Sequence, residues 1–505
     1  MAAVGVADDR QAAQADDAGR GVRLAGSILV RQCAVARRAD LGLSRTGRGS
    51  RPDRVRDRLA VRQRQRHRGS GEDLRSAGRD PAGAARGHRP GERAAAVPGT
   101  DVTAEAPKRN PGRVFALSLA SVALVTPLAV HLFFPVIPEV KTAFELSHAG
   151  AQLAFSVSLF GMAFATLVYG SLSDRYGRRP VLLSGLALFL VGSALSAVAQ
   201  TPELLVLGRL IQALGAGCGL PLVRAIARDA YRADQLVKAI AYLTMFGTLG
   251  PMLSPTIAGV LIDTLGWRST FVFAVLAGGA IALVAYIQLY ETHPAASRTP
   301  STESVAQSYA ALFGRLRFNA FVLQSGFTTG AFMVMATAAA SLMTELLQRP
   351  ATEFGLYFAL FPLGFATGSL ISTRVAMRLS TETMVFAGSV LALAAVSGQA
   401  FVLLSGIVVP LAFFIPGFFL TLAQGIAMPY GQAAAMAEIP RYAGTAAGIG
   451  VFMQHLCAAV FAQLYGLYAD GTPGPMVAIA LLSAVLCLVT GTIPLVLKRS
   501  GGRAV

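Results

Sequence analysis

Gly170-Ser-Leu-Ser-Asp174-Arg175-Tyr-Gly177-Arg178-Arg179-Pro180 gathers four charges and two glycines between two long apolar runs, roughly 149–169 and 181–199. Each run is close to the ~20 residues that cross a bilayer as a helix. A short Arg-rich hairpin between two such spans is expected to stay on the cytoplasmic side, because Lys and Arg loops resist translocation. Asp174 and Arg178 are four apart and share one face if the helix continues into the loop.

Working outward, apolar runs of spanning length repeat from Val114 to the end of the chain. They fall at about 114–138, 148–170, 181–200, 203–226, 237–261, 269–290, 319–344, 354–375, 383–404, 407–431, 442–468 and 475–497. The pattern predicts an all-α membrane protein of twelve transmembrane helices. With the N-terminus inside, the outer loops receive only Lys141, Arg268 and Arg349, while the inner loops receive Arg175, Arg178, Arg179, Arg228, Arg232 and Lys238 in the first half, Arg298, Arg315 and Arg317 between the halves, and Arg374, Arg378, Arg441, Lys498 and Arg499 in the second. This asymmetry predicts both termini in the cytoplasm. The longest polar stretch after residue 110, Glu291 to Arg317, divides the spans six and six. Gly170-Ser171-Leu172 before one basic hairpin is echoed by Gly368-Ser369-Leu370 before Arg374 and Arg378, and Pro221 with Asp229 by Pro429 with Glu438. The expected organisation is a six-helix half at 111–290, a cytoplasmic linker at 291–318 and a second half at 319–505, an architecture that carries its substrate site between the halves.

Composition agrees. Of 505 residues, 54% are hydrophobic and 14% charged, whereas soluble domains carry about 25% charged residues. Residues 1–110 differ from the rest: they are rich in Arg, Ala, Gly and Asp and contain no Phe, Tyr or Trp. No apolar period there could bury a face, which predicts a disordered extension. It is a solvated tail, a basic segment for nucleic acid or anionic lipid, or a stretch upstream of the true start. Cys33, Cys218, Cys457 and Cys487 are scattered without metal spacing, and the last three sit in apolar segments where Cys acts as a small hydrophobe.

The 170–180 loop resembles the signature loop between the second and third helices of the major facilitator superfamily of secondary transporters, and the resemblance covers roughly residues 113–500. It implies an ionic latch of Asp174, Arg178 and Asp229 that forms in the outward-open state; the alternative is a solvated topology signal. Gly208-Arg209-Leu-Ile-Gln212 resembles the motif linked to proton coupling. Arg209 in an apolar segment is costly, so it faces a wet cavity with Gln212, or else bonds backbone carbonyls of the first helix. Gly250-Pro251, Pro255 and Gly259 resemble the antiporter motif, with Ser254-Pro255 where a Gly pair is usual. His131-Leu-Phe133-Phe-Pro135-Val-Ile-Pro138 resembles a phrase of the bicyclomycin/chloramphenicol-resistance type of drug:proton antiporter, in which an acid often stands at the place of His131. Histidine can carry a proton near neutral pH, and it can equally serve as a hydrogen-bonding cavity residue.

In the second half, Gln324, Gln424, Gln454 and His455 are polar at depth, and Phe327, Phe332, Phe361, Phe414 and Phe418 are candidates for an apolar pocket. Phe133, Gln324, Phe327, Gln424 and His455 form the expected substrate set. No phosphate loop, Gly-x-Ser-x-Gly or metal pattern is present. The expectation is therefore a monomeric, non-enzymatic transporter of the inner membrane, without cofactor, metal or nucleic-acid partner. It would export drug-like or amphipathic small molecules against protons, in contact with membrane lipid. An uptake or metabolite-efflux facilitator is the alternative of the same fold, and a membrane-anchored protein with a nucleic-acid-binding tail the alternative of another class.

Overall fold

The computed structural model describes residues 111–293, 305–375 and 378–501. The 1–110 extension lies outside them. The described residues form twelve helices long and apolar enough to cross a membrane: α1 Arg113–His131, α2 His148–Tyr176, α3 Arg178–Ala197, α4 Pro202–Ala230, α5 Tyr242–Leu265, α6 Arg268–Gln288, α7 Leu316–Leu346, α8 Ala351–Val375, α9 Thr381–Leu404, α10 Pro410–Ala437, α11 Pro440–Tyr468 and α12 Pro473–Ser500. The number of spans is the expected one.

Proline decides where these helices loosen. Breaks at 123–124 in α1, 217–218 in α4 and 359 in α8 precede Pro127, Pro221 and Pro362. Each break lies within one residue of the carbonyl four positions earlier, which a proline leaves without a donor. The Thr126 hydroxyl donates to the Ala216 carbonyl beside the α4 break at 3.0 Å. The helix containing α5 begins at Ala233 and runs unbroken through Pro251 and Pro255. The first span is shorter than the expected 114–138: α1 ends at His131, turns through 132–135 and restarts as the short helix Val136–Ala143, since Pro135 removes one ladder donor and disfavours α geometry at Phe134. The polar stretch before α7 is not all loop, because Val305–Phe313 is helical and buries Leu312.

Within the first six helices, α3 packs on α4 and α6, and α2 packs on α4. The last six repeat this with α9 on α10 and α12, and α8 on α10. Two pairings join the sets, α2 with α11 and α5 with α8, which exchange when six is added to or subtracted from each helix number. Gly192, Gly208 and Gly215 bring α3 and α4 into backbone contact, and Gly364, Gly368 and Gly425 do the same for α8 and α10. Small residues allow that approach where lipid offers no hydrophobic drive between helices. Large apolar side chains such as Phe160, Val191, Leu276 and Val489 face outward, as a lipid-facing surface requires. Cys218, Cys457 and Cys487 are free and buried.

Candidate functional site

At the end of the bundle that carries the 170–180 loop, hereafter the basic face, Arg178 opens α3 with its side chain 4% exposed. Its Nη1 lies 2.5 Å from Asp174 Oδ1 and its Nε 2.9 Å from Asp229 Oδ2. Nη1 also donates to Ser173 Oγ at 2.6 Å. The expected trio is thus assembled, together with a residue given no such part by the sequence reading. Glu291, after α6, accepts from the backbone N–H groups of Arg178 and Arg179 at 3.0 and 3.2 Å. A carboxylate there satisfies orphan donors of the first turn and complements the helix dipole.

The same face carries a second cluster that the sequence reading missed. Glu382, at the start of α9, accepts from Arg317 Nη2 at 2.5 Å and Lys498 Nζ at 2.9 Å, and Arg317 Nε lies 3.3 Å from Glu438. The echoed hairpin cations Arg374 and Arg378 are not its centre.

Deeper in the first six helices, Arg209 is 2% exposed. Its Nη1 donates to the Ala129 carbonyl of α1 at 2.9 Å and to Gln212 Oε1, and Gln212 Nε2 donates to Ser193 Oγ at 2.8 Å. The guanidinium lies 4.1 Å over the Phe133 ring, within cation–π range. Nε and Nη2 have no partner. The space beside them, about 10 Å³ and lined by Leu128, Phe133 and Thr270 among others, is the size of one water. Arg209 therefore makes the carbonyl bond to the first helix, the alternative weighed above, and also keeps two unused donors.

His131 is elsewhere. Its Nδ1 bonds the Pro127 carbonyl at 3.3 Å, and its ring meets Phe134 and Phe358 edge-on at 5.5 and 6.1 Å. It lines a cavity of about 200 Å³ where α1 and α5 meet α7, α8 and α10. Gly247, Pro251, Phe332, Phe358, Phe361, Phe365, Thr421 and Gln424 form most of the remaining wall, and no carboxylate does. The expected grouping of His131 with Arg209 and Gln212 is corrected: they line different spaces, because Ala129 and His131, two residues apart on a helix, point away from each other.

The expected substrate set divides likewise. Gln424 lines the cavity and donates to Thr329 Oγ1 at 3.0 Å. His455 bonds its own helix at Val451 and is not among the lining residues of that cavity. Phe133 lies under Arg209 instead. Gln324 turns to α9 and α12, donating to Ser389 Oγ at 3.2 Å, and Phe327 packs on Phe461 with ring centroids 6.0 Å apart. Phe358 and Phe365 were missed, although Phe354, Phe358, Phe361 and Phe365 repeat at helical spacing on one face of α8. In the motif helix, Gly250 rests on Pro127 of α1, Gly259 on Ala351, and Pro255 beside Gly355 of α8. Thr256 Oγ1 donates to the Gly355 carbonyl at 2.8 Å.

At the opposite end, Lys141 Nζ lies 2.6 Å from Glu345 Oε2 and 2.9 Å from His148 Nε2. Glu345 sits on the π turn, Leu342–Leu346, that closes α7. Asp263 accepts from the N–H groups of Ala351 and Thr352 at 3.1 and 2.8 Å. These contacts tie the two six-helix sets together at that end.

Comparison with known proteins agrees with this geometry. The chain is 28% identical over 333 residues to multidrug resistance protein MdtL of Escherichia coli, strains K12 / DH10B and O6:H1 among them, covering 64% of this chain and 83% of the relative. Among solved structures, nucleoside transporter NupG superposes with a TM-score of 0.63 at 12% identity, over 76% of this chain and 99% of that one. A D-xylose-proton symporter superposes with a TM-score of 0.60 at 15% identity, over 74% and 96%. A bacterial homologue of the human lysosomal transporter Spinster, inward-facing and unoccupied, does so with a TM-score of 0.58 at 14%, over 76% and 94%. The sequence pattern of the Major Facilitator Superfamily matches residues 119–462, more than half of the chain, and the chain, a multi-pass membrane protein, belongs to that family.

Proposed function

We propose that this protein exports drug-like or amphipathic small molecules across the inner membrane in exchange for protons, as a monomer with both termini in the cytoplasm. The observation that carries the reading is the cavity between the two six-helix sets. Four phenylalanines, two prolines, two threonines and one glycine line it beside one histidine and one glutamine, with no acid, and an apolar site with few polar contacts suits drug-like solutes. The similarity to MdtL, named for multidrug resistance, supports the same choice. On this reading the two sets, 111–290 and 319–505, rock about the cavity. The Asp174–Arg178–Asp229 latch sets the cytoplasmic side and is formed while the Lys141–Glu345 contact closes the outer side, so it does not require the outward-open state that the resemblance implies. Among the described residues His131 is the titratable side chain that the cavity wall offers, and it is the proposed proton carrier.

Expression in a host stripped of its own pumps tests this. Resistance to a panel of amphipathic drugs should rise and be lost with an uncoupler. Inverted vesicles should accumulate the same drugs when acidified inside. Unchanged susceptibility together with impaired growth on one nutrient upon deletion would instead favour an uptake facilitator. His131→Ala should flatten the response to an imposed proton gradient, and an unaltered response would exclude it as carrier.

A further inference from the structure

A second cavity, of about 60 Å³, lies toward the basic face, and Arg224 of α4 is its cation. α7, α10 and α11 supply the rest of the wall, with Phe321, Ser325, Gln432 and Gln454. This volume holds several waters or one small head group. Arg224 is exposed and lines the space walled by these helices. It makes no ion pair among the described residues.

The described carboxylates of the four walling helices are Glu203, Asp229, Glu345 and Glu438. Glu203 and Glu345 are at the opposite end. Asp229 is held by Arg178 at 2.9 Å and Glu438 lies 3.3 Å from Arg317. Both acids of these helices at the basic-face end are therefore committed to other cations. An exposed Arg lining a walled cavity, without an ion pair among the described residues, is a ready site for a planar anion, since its fork of donors matches a carboxylate.

The cavity is also linked to the aromatic one. Gln454 Nε2 donates to Ser325 Oγ at 2.8 Å, Thr329 Oγ1 to the Ser325 carbonyl at 2.9 Å, and Gln424 Nε2 to Thr329 Oγ1 at 3.0 Å. Ser325 and Phe332, seven residues apart on α7, are separated by roughly 10 Å along the axis. We propose that the pocket of Arg224, Gln432 and Gln454 binds the carboxylate of amphipathic organic acids, whose apolar bodies point along α7 toward Phe332 and Phe361. This names a substrate class and rests on the export reading, in which solutes enter from the basic face.

The test uses the full chain in lipid nanodiscs and three probes of one shape: 2-naphthoate, neutral 2-naphthamide and 2-naphthyltrimethylammonium. By equilibrium dialysis the native protein should prefer naphthoate over the cation by about tenfold, and Arg224→Gln should erase that preference while leaving naphthamide within about twofold. Arg224→Lys should keep part of it. Equal binding of the three probes by the native chain, or parallel losses for naphthoate and naphthamide in Arg224→Gln, would overturn the site. If Arg224→Gln does not fold, the native preference and Arg224→Lys decide alone. A naphthoate preference without proton-driven accumulation in inverted vesicles would keep the site and reject the export reading. Drug accumulation without the preference would do the reverse.

Discussion

The two ion clusters on the basic face occupy matching places in the two six-helix sets and have opposite signs at the centre. In the first set the buried centre is Arg178, opening the third helix, tied by Asp174, by Asp229 at the end of the fourth helix, and through its backbone by Glu291 after the sixth. In the second set the centre is Glu382, opening that set's third helix, tied by Arg317 from the start of its first helix and by Lys498 near the end of its sixth. Glu438 keeps the place of Asp229, now as a partner of Arg317. What the fold repeats is one buried charge joined to neighbouring helix ends by charges of the other sign; the sign itself is free. The surroundings differ as well. Both centres are withdrawn from water, at 4% and 7% side-chain exposure, but Arg178 leans on Asp229 at 17%, whereas Glu382 leans on Arg317 and Lys498 at 42% and 50%.

That difference in wetness orders the expected effects. Arg178→Ala leaves the largely buried Asp229 with only the exposed Arg228 at 3.9 Å, and breaking a buried pair in this way costs about 3 kcal/mol. Glu382→Ala leaves two cations that reach water, so about 1–2 kcal/mol is expected, nearer the range of exposed pairs. Thermal unfolding in one detergent measures both, and the comparison breaks if the losses are equal. A double variant adds little beyond the sum, because the clusters share no residue and distant sites are additive within about 0.5 kcal/mol.

The same comparison at depth separates stability from transport. Arg209→Met should cost about 1–2 kcal/mol of stability: it strands the Ala129 carbonyl and Gln212 Oε1 but relieves two donors that have no partner now. Export should nevertheless fall by more than about tenfold if Arg209 serves the transport cycle rather than the fold. Gln324→Leu in the second set should behave oppositely in transport. It loses bonds to Ser389 and Thr328, costing about 1 kcal/mol, and leaves export near the native level because Gln324 faces α9 and α12.

The spans were legible because each is a nearly unbroken run of apolar residues, and the Asp174–Arg178 pair because the two are one helical turn apart, whereas Asp229 was implied only by the family resemblance. The Glu382 cluster was not, since its partners stand 65 and 116 residues away in sequence and no local spacing announces them. Polarity at depth marked Gln324 and Gln424 equally. Only packing shows that one meets Ser389 and the other meets the cavity. Phe133 is a similar case: its neighbour Phe134 meets His131, while it lies under Arg209. The aromatic stripe of α8 was readable from its spacing, and attention to single phenylalanines rather than to their period left Phe358 and Phe365 out.

The smallest expected effect concerns the contact between the sets. Lys141 and Glu345 are 24% and 29% exposed, so their pair contributes about 0.2–1 kcal/mol. Lys141→Ala should not unfold the protein, since nothing buried loses its only partner. It should act on the balance between states, because the pair joins a residue after α1 to the end of α7 and exists only while that end is shut. A loss of this size raises the population open at that end by up to about fivefold. A cysteine introduced as Phe358→Cys lines the cavity, while Cys218, Cys457 and Cys487 are buried. A membrane-impermeant maleimide added from outside should therefore label Phe358→Cys faster when Lys141→Ala is also present, and Glu345→Gln should give the same acceleration. Equal labelling rates would mean that the ends of α5 and α8, through Asp263 and the backbone it caps, hold that side shut by themselves.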